Sequence, residues 1–384
     1  MFRSQPSFLP ALLLFLLLPG CEGSALPDTL PGDEIVILDA PVEDTGLEAL
    51  WQAPSEEEIE DGLEWGNPTR IAIGDGYVAV LDPTLSRVHL FSETGERDGS
   101  FGRAGDGPGE FAQSRWIGVK GDSILVQTAQ NSLDWFGREG AHLGSVAGDG
   151  ILMTEVHLIP GTGIVRSGFT AGGAGAGFHE QWELIGPDGE VREITMPGRH
   201  PLQPGIRESL EGCWQTGTVG EALARVACTF PLVQILGPEH EIVQEYRIDR
   251  DPQETPEALL EEAIEVAHDR IARQASETGI SEVVRDQMME QREASIRQED
   301  RWLPVMRDIA GSPSGHRIAL WEQFPGDLGG GNATIHLLDK EGRYLVRHAF
   351  GTQLTSIGLS DDQVFVLAED PESGLRRLEA YRLP

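Results

Sequence analysis

The chain has 384 residues, 39% of them hydrophobic and including thirteen phenylalanines and eight tryptophans, enough to bury a sizeable core and to exclude an intrinsically disordered protein. Its 63 acidic against 29 basic residues give a formal charge of −34, a surface that repels nucleic acid and anionic headgroups and so excludes both as partners. The acidic residues are spread along the chain, which ties the charge to solubility, or to a salty or cation-rich setting, and not to one site.

The N-terminus carries Arg3 and then an apolar run at residues 8–18 (FLPALLLFLLL), too short to cross a bilayer and laid out as a secretory signal, which assigns residues 1–20 to a signal peptide. Leu18-Pro19-Gly20-Cys21 closes that run. A small residue before a cysteine at this place resembles the lipobox of bacterial lipoproteins. The resemblance implies that Cys21 is acylated and becomes the mature N-terminus, with acyl chains that anchor the protein to a membrane. Glu22 stands where an inner-membrane retention aspartate would be, so the expected location is the cell envelope, at the outer membrane, facing the periplasm or the cell surface. Residues 21–32 are small, polar and proline-punctuated and read as a lipidated tether. Setting Cys21 aside leaves Cys213 and Cys228, an even pair in an oxidising compartment flanking a turn-rich piece, expected to form one disulfide.

From about residue 33 a unit recurs: a short alternating strand, a tight turn, and another strand. It is seen in RVHLFSETG, SLDWFGREG, QWELIGPDG, LVQILGPEH and TIHLLDKEG, whose turn positions 95, 140, 189, 240 and 342 are 45, 49, 51 and 102 residues apart. A second hairpin precedes most of them, such as residues 70–82, so each period holds four antiparallel strands. That period and strand count predict propeller blades. The C-terminal unit, residues 354–383, supplies three strands, one too few. A strand from residues 33–39 or from residues 47–51 is expected to complete it, closing the ring and removing exposed sheet edges. The predicted fold is all-β, a six-bladed β-propeller of four-stranded blades over residues 33–384, with an inserted helical hairpin.

The first blade boundary, FGRAGDGPGEF at residues 101–111, resembles the G-x-x-G-x-G-P-G-E-F signature of bacterial six-bladed propellers related to NHL repeats, and the preceding blade matches as well. The resemblance implies a propeller whose glycines turn the chain from the outer strand of one blade to the inner strand of the next. Glu110 is then expected to satisfy loop amides and Phe111 to wedge between blades. A phosphate cradle is excluded, because Glu110-Phe111 stand where a P-loop needs Lys and Ser or Thr, and a strand, not a helix, follows.

Residues 255–299 break the β rhythm. Thr255 is placed to cap a helix whose first turn holds Pro256. Leu260, Ile264, Ala267, Ile271 and Ala275 fall on one face; Gly279 ends that helix and Ser281 begins a second with Val284 and Met288 on its stripe. The insertion lies between blades four and five, either resting on the rim, covering one face of the ring, or presenting Met288 and Met289 to a partner.

No local motif carries chemistry. The ten histidines lack metal-ligand spacing, and there is no G-x-S-x-G elbow, so no catalytic residue is assigned. His336 and His348 sit on adjacent predicted strands, and Asp82 and Arg87 flank a hairpin turn as a structural ion pair. Asp361-Asp362 read as turn formers. The resulting expectation is a membrane-anchored propeller acting as a binding or protein-interaction scaffold, with a protein or small-molecule ligand and no cofactor. The rival is a metal-dependent hydrolase or lyase whose site, in the central channel, holds calcium or zinc between acids that converge from several blades.

Overall fold

The computed structural model describes residues 36–38 and 46–384, except 61, 106, 108–109, 112–113, 129–131, 147–151, 172–177, 197–213, 229–231, 249–253, 279–280, 300–305, 324–331 and 371–372. The expected signal peptide and tether lie outside the described residues.

After β1 (Val36–Leu38), β2 (Glu48–Ala53) and the short helix α1 (Glu56–Glu60), the strands fall into blades. Blade one is β3 (Arg70–Ile73), β4 (Tyr77–Asp82), β5 (Arg87–Ser92) and β6 (Arg97–Phe101). Blade two is β7 (Ile117–Lys120), β8 (Ser123–Gln127), β9 (Leu133–Gly137) and β10 (His142–Val146). Blade three is β11 (Leu152–Ile159), β12 (Gly163–Ala171), β13 (Phe178–Ile185) and β14 (Val191–Ile194). Blade four is β15 (Trp214–Val219), β16 (Ala222–Ala227), β17 (Leu232–Leu236) and β18 (Ile242–Ile248). Helices α2 (Glu257–Thr278) and α3 (Glu282–Glu299) follow, then blade five with β19 (Met306–Gly311), β20 (Arg317–Gln323), β21 (Ala333–Asp339) and β22 (Tyr344–Ala349). Blade six is β23 (Leu354–Leu359), β24 (Gln363–Glu369) and β25 (Arg376–Arg382), completed by β2.

Each blade is an antiparallel sheet in chain order. The register Glu48↔Arg382 to Ala53↔Leu378 makes residues 48–53 the closing strand. The other candidate, Val36–Leu38, instead adds a fifth strand to blade four, parallel to β18. The inner strands β3, β7, β11, β15, β19 and β23 each contact the next, and β23 returns to β3, so the ring closes. This is a six-bladed β-propeller, as the sequence period predicts.

The burial pattern explains the sequence pattern. A middle strand of a blade is covered on both faces by neighbouring blades, so β4 (YVAVLD) is buried at all six positions and reads as a continuous apolar run. Outer strands such as β22 (YLVRHA) alternate with solvent. Among the described residues, an apolar cluster lies at each of the six blade interfaces.

The recurring turn residue has a second role at these interfaces. An aromatic side chain on the outer strand of one blade lies under the turn glycine of the next: Trp51 under Gly95, Phe101 under Gly140 and Tyr246 under Gly342, each so close that a Cβ would overlap the ring. Trp51 Nε1 donates to Glu93 O at 2.8 Å, and Tyr246 Oη donates to Lys340 O at 2.6 Å, in each case the carbonyl two residues before the glycine. The glycines take positive φ, and in blade four His240 does so in their place (φ 64°).

The helical hairpin stands between blades four and five, where the sequence puts it. Leu260 and Ile264 pack against Ile296, while Leu259 reaches the cluster between the two blades. Arg297 binds Glu257, Glu261 and Glu293. Two details differ from expectation. The Thr255 hydroxyl finds no partner and does not cap α2, and Val284 is exposed, because the apolar contact of α3 comes from Ile296 farther along the helix.

Candidate functional site

The glycine-rich boundary at residues 101–111 is a closed structural loop. Phe111 N donates to Arg103 O at 2.8 Å and Gly105 N to Phe111 O at 3.3 Å. Glu110 Oε2 accepts from Gly107 N at 2.9 Å, and Arg103 pairs with Glu110 at 2.7 Å. The Gly107 amide and Arg103 hold the Glu110 carboxyl below the ordinary glutamate range. Phe111 is fully buried between blades one and two, edge-on to Phe136 at 5.2 Å. Both expected roles, carboxylate to amide and ring between blades, are present.

Asp82 and Arg87 do not pair. Arg87 binds Glu64 at 2.9 Å, whereas the buried Asp82 carboxylate accepts four backbone N–H groups, from Gly66, Asn67, Thr84 and Leu85, at 2.7 to 3.2 Å. The short loop leaves its amides unsatisfied, and these outcompete a solvated guanidinium. His336 and His348 stay apart. His336 binds Glu322 at 2.7 Å and Tyr344, while His348 Nδ1 accepts from Leu47 N at 2.9 Å, helping to seat the closing strand. Asp361 and Asp362 organise turns through Ser314 and Ser360. Cys228 is buried just past β16. Cys21 and Cys213 lie outside the described residues.

The inner strands enclose a central channel with a cavity of about 460 Å³. Its polar side chains include Arg70, Glu155, His157, Thr216, Asp308 and Ser356 of those strands, with Arg115 just ahead of β7. The inner strands of blades four and five pack closely. Gly217 lies against the Ile309 carbonyl and Gly311 against Val219, so close that a Cβ at either would overlap its neighbour, and Gly220 N donates to Ser312 O at 3.1 Å. The cavity has a polar mouth at Arg70 and Arg115.

Within it, Thr216 Oγ1 bonds Glu155 Oε2 and lies 2.6 Å from His157 Nε2. The hydroxyl proton goes to the carboxylate, so His157 Nε2 donates to Thr216. Arg70 Nη1 stands 3.5 Å from Asp308 Oδ2, and Asp308 Oδ1 accepts from Ile309 N at 2.9 Å. The two carboxyls are pushed in opposite directions. Burial raises that of Glu155, but His157, Thr216 and Arg70 outweigh it and bring the group below the ordinary range. Burial raises Asp308 beyond what Arg70 and the Ile309 amide offset. Among the described residues no three His, Cys, Asp or Glu side chains converge as a metal site.

None of these channel residues is singled out by the sequence, because they are 40 to 92 residues apart from one inner strand to the next. A usable signal exists once the blades are aligned. Arg70-Ile71, Arg115-Trp116-Ile117, Glu155-Val156-His157, Thr216-Gly217, Asp308-Ile309 and Ser356-Ile357 place a polar residue at the same early point of successive inner strands.

No protein-family profile matches the chain, and no curated protein is significantly similar to it. Solved structures are similar in fold. A protein of Bacteroides fragilis described as exported aligns over 91% of this chain and 98% of its own, at 12% identity and a TM-score of 0.53. The β-propeller domain of Cps50 (Swd1) from Myceliophteria thermophila aligns over 84% and 98%, at 10% identity and a TM-score of 0.42.

Proposed function

We propose that this protein is an exported, membrane-anchored propeller that binds its ligand in the mouth of the central channel and serves as a binding module of the cell envelope. The observation that carries this reading is the channel itself, a cavity into which polar side chains from the inner strands converge. Thr218 lines the channel outside the apolar clusters, so Thr218→Trp fills the pocket while sparing the apolar clusters between blades. In a thermal-shift screen of chemically diverse small molecules, compounds that raise the melting temperature of the parent are expected to leave the folded Thr218→Trp protein unshifted. Binders indifferent to that substitution would place the site elsewhere.

Export and anchoring rest on the signal at residues 1–20 and the lipobox resemblance at Cys21, in keeping with the Bacteroides fragilis protein of similar fold that is described as exported. We place the protein at the outer membrane, on the Glu22 argument. Cys21→Ser is expected to move it from the membrane to the soluble fraction and to abolish labelling by a palmitate analogue; continued membrane association would contradict the anchor. The proposed Cys213–Cys228 disulfide draws support from the register Trp214↔Ala227, one step inside that pair.

One observation favours a catalytic reading. Glu155 and Asp308, with carboxyls shifted in opposite directions beside His157, are the elements of an acid–base pair. Stoichiometric calcium or zinc in the purified protein would strengthen that second reading, a metal-dependent hydrolase or lyase.

A further inference from the structure

The mouth of the channel has its own chemistry. A second cavity, about 500 Å³ and open to solvent, adjoins the first and shares Arg70 and Arg115 with it, adding Thr69, Ser114 and Thr355. Arg115 is exposed and has no ion-pair or hydrogen-bond partner among the described residues. Ser114 is 2% exposed, and its hydroxyl has no hydrogen-bond partner. A buried, unpaired hydroxyl is costly, and the exposed guanidinium beside it has its donors uncommitted among the described residues; one ligand group can accept from both.

We propose that this mouth is an anion site that takes the carboxylate of a small, hydroxyl-bearing organic acid, its charged group between Arg115, Arg70 and Ser114 and its body in the channel. The inference rests on the channel-binding reading above. Charge selects a monoanion. Arg70 is already partly matched by Asp308 at 3.5 Å, which leaves about one positive charge, from Arg115, for the ligand. The ionised Glu155 behind it and the −34 charge of the whole chain oppose a dianion such as phosphate. A guanidinium fork and one hydroxyl donor suit the two oxygens of a carboxylate. Deeper in, Gln127, Gln215, Glu155 and Thr216 offer acceptors and donors for hydroxyl groups on the body.

The test uses the full chain and isothermal titration with D-glucuronate, its neutral partner D-glucuronamide, and inorganic phosphate. Glucuronate is expected to bind at least tenfold more tightly than glucuronamide or phosphate. Arg115→Gln, which removes no hydrogen bond or ion pair of the free protein among the described residues, is expected to weaken glucuronate by roughly tenfold to a hundredfold, the loss of one charged hydrogen-bonding group, with Arg115→Lys intermediate. Ser114→Ala separates the site from mere structure: it should leave the free protein as stable as the parent or more so, and still weaken glucuronate. Equal binding of acid and amide, tighter binding of phosphate, no binding of glucuronate at millimolar concentration, or indifference to Arg115→Gln would each overturn the anion site. If neutral compounds then still bind and are blocked by Thr218→Trp, the channel reading survives without it; if nothing in the screen responds to that block, both fall.

Discussion

Truncating Phe111 to alanine is expected to cost about 3–5 kcal/mol, the range for a buried aromatic whose cavity cannot collapse. The side chain has no exposure and lies edge-on to Phe101 and Phe136, so the loss falls on the interface of blades one and two and on the crossing between them. Its backbone is equally committed, through Phe111 N to Arg103 O and the bridge between Ala104 and Phe111. Urea unfolding followed by tryptophan fluorescence should show a markedly lower midpoint for Phe111→Ala, with Phe111→Leu much closer to the parent. A change below about 1 kcal/mol would mean that the glycine-rich crossing holds the blades without its ring.

Asp82→Ala is the second large effect. Four amide donors lose their acceptor at once, and a buried donor left unpaired costs about 1–3 kcal/mol, so a total of about 3–5 kcal/mol is expected after the loop relaxes. Gly66 approaches the carboxylate so closely that a Cβ there would lie 2.8 Å from Oδ2, which fixes the segment preceding blade one to the end of β4. The carboxyl also sets a pH dependence. Burial pushes it up, but nearby His89 and the Leu85, Gly66 and Asn67 amides outweigh burial and bring it below the ordinary aspartate range. A depressed folded value means stability that is fully present above the unfolded value of about 3.9 and lost as pH falls through the folded one. The stability gap between the parent and Asp82→Asn should therefore be constant at neutral pH and shrink below about pH 4. A gap that does not change with pH would show that the carboxylate charge contributes nothing.

Much of the fold was legible because propeller physics repeats along the chain. The turn residues at 95, 140, 189, 240 and 342 recur since each blade must present the same tight turn, and three of them must also sit over an aromatic ring of the blade before. The helical hairpin was legible because its period changes from two to about four residues. The closing strand was ambiguous, with two short apolar segments available; β2 is the one whose register carries Trp51 beneath Gly95. Asp82 misled because its nearest cation in sequence, Arg87, is not what a buried carboxylate at a turn most needs. The candidate site was illegible for a different reason. Glu155, Thr216 and Asp308 come from three blades, and only ring closure brings them together, so nothing in their local spacing marks them.

The central claim, that a ligand enters the polar mouth of the channel, is tested most directly by a crystal structure of the full chain with bound D-glucuronate. The account predicts the carboxylate against Arg115 and Ser114 and the sugar ring in the channel above Thr216. The acid seated on the helical hairpin or on an outer strand, with the channel empty, would contradict it.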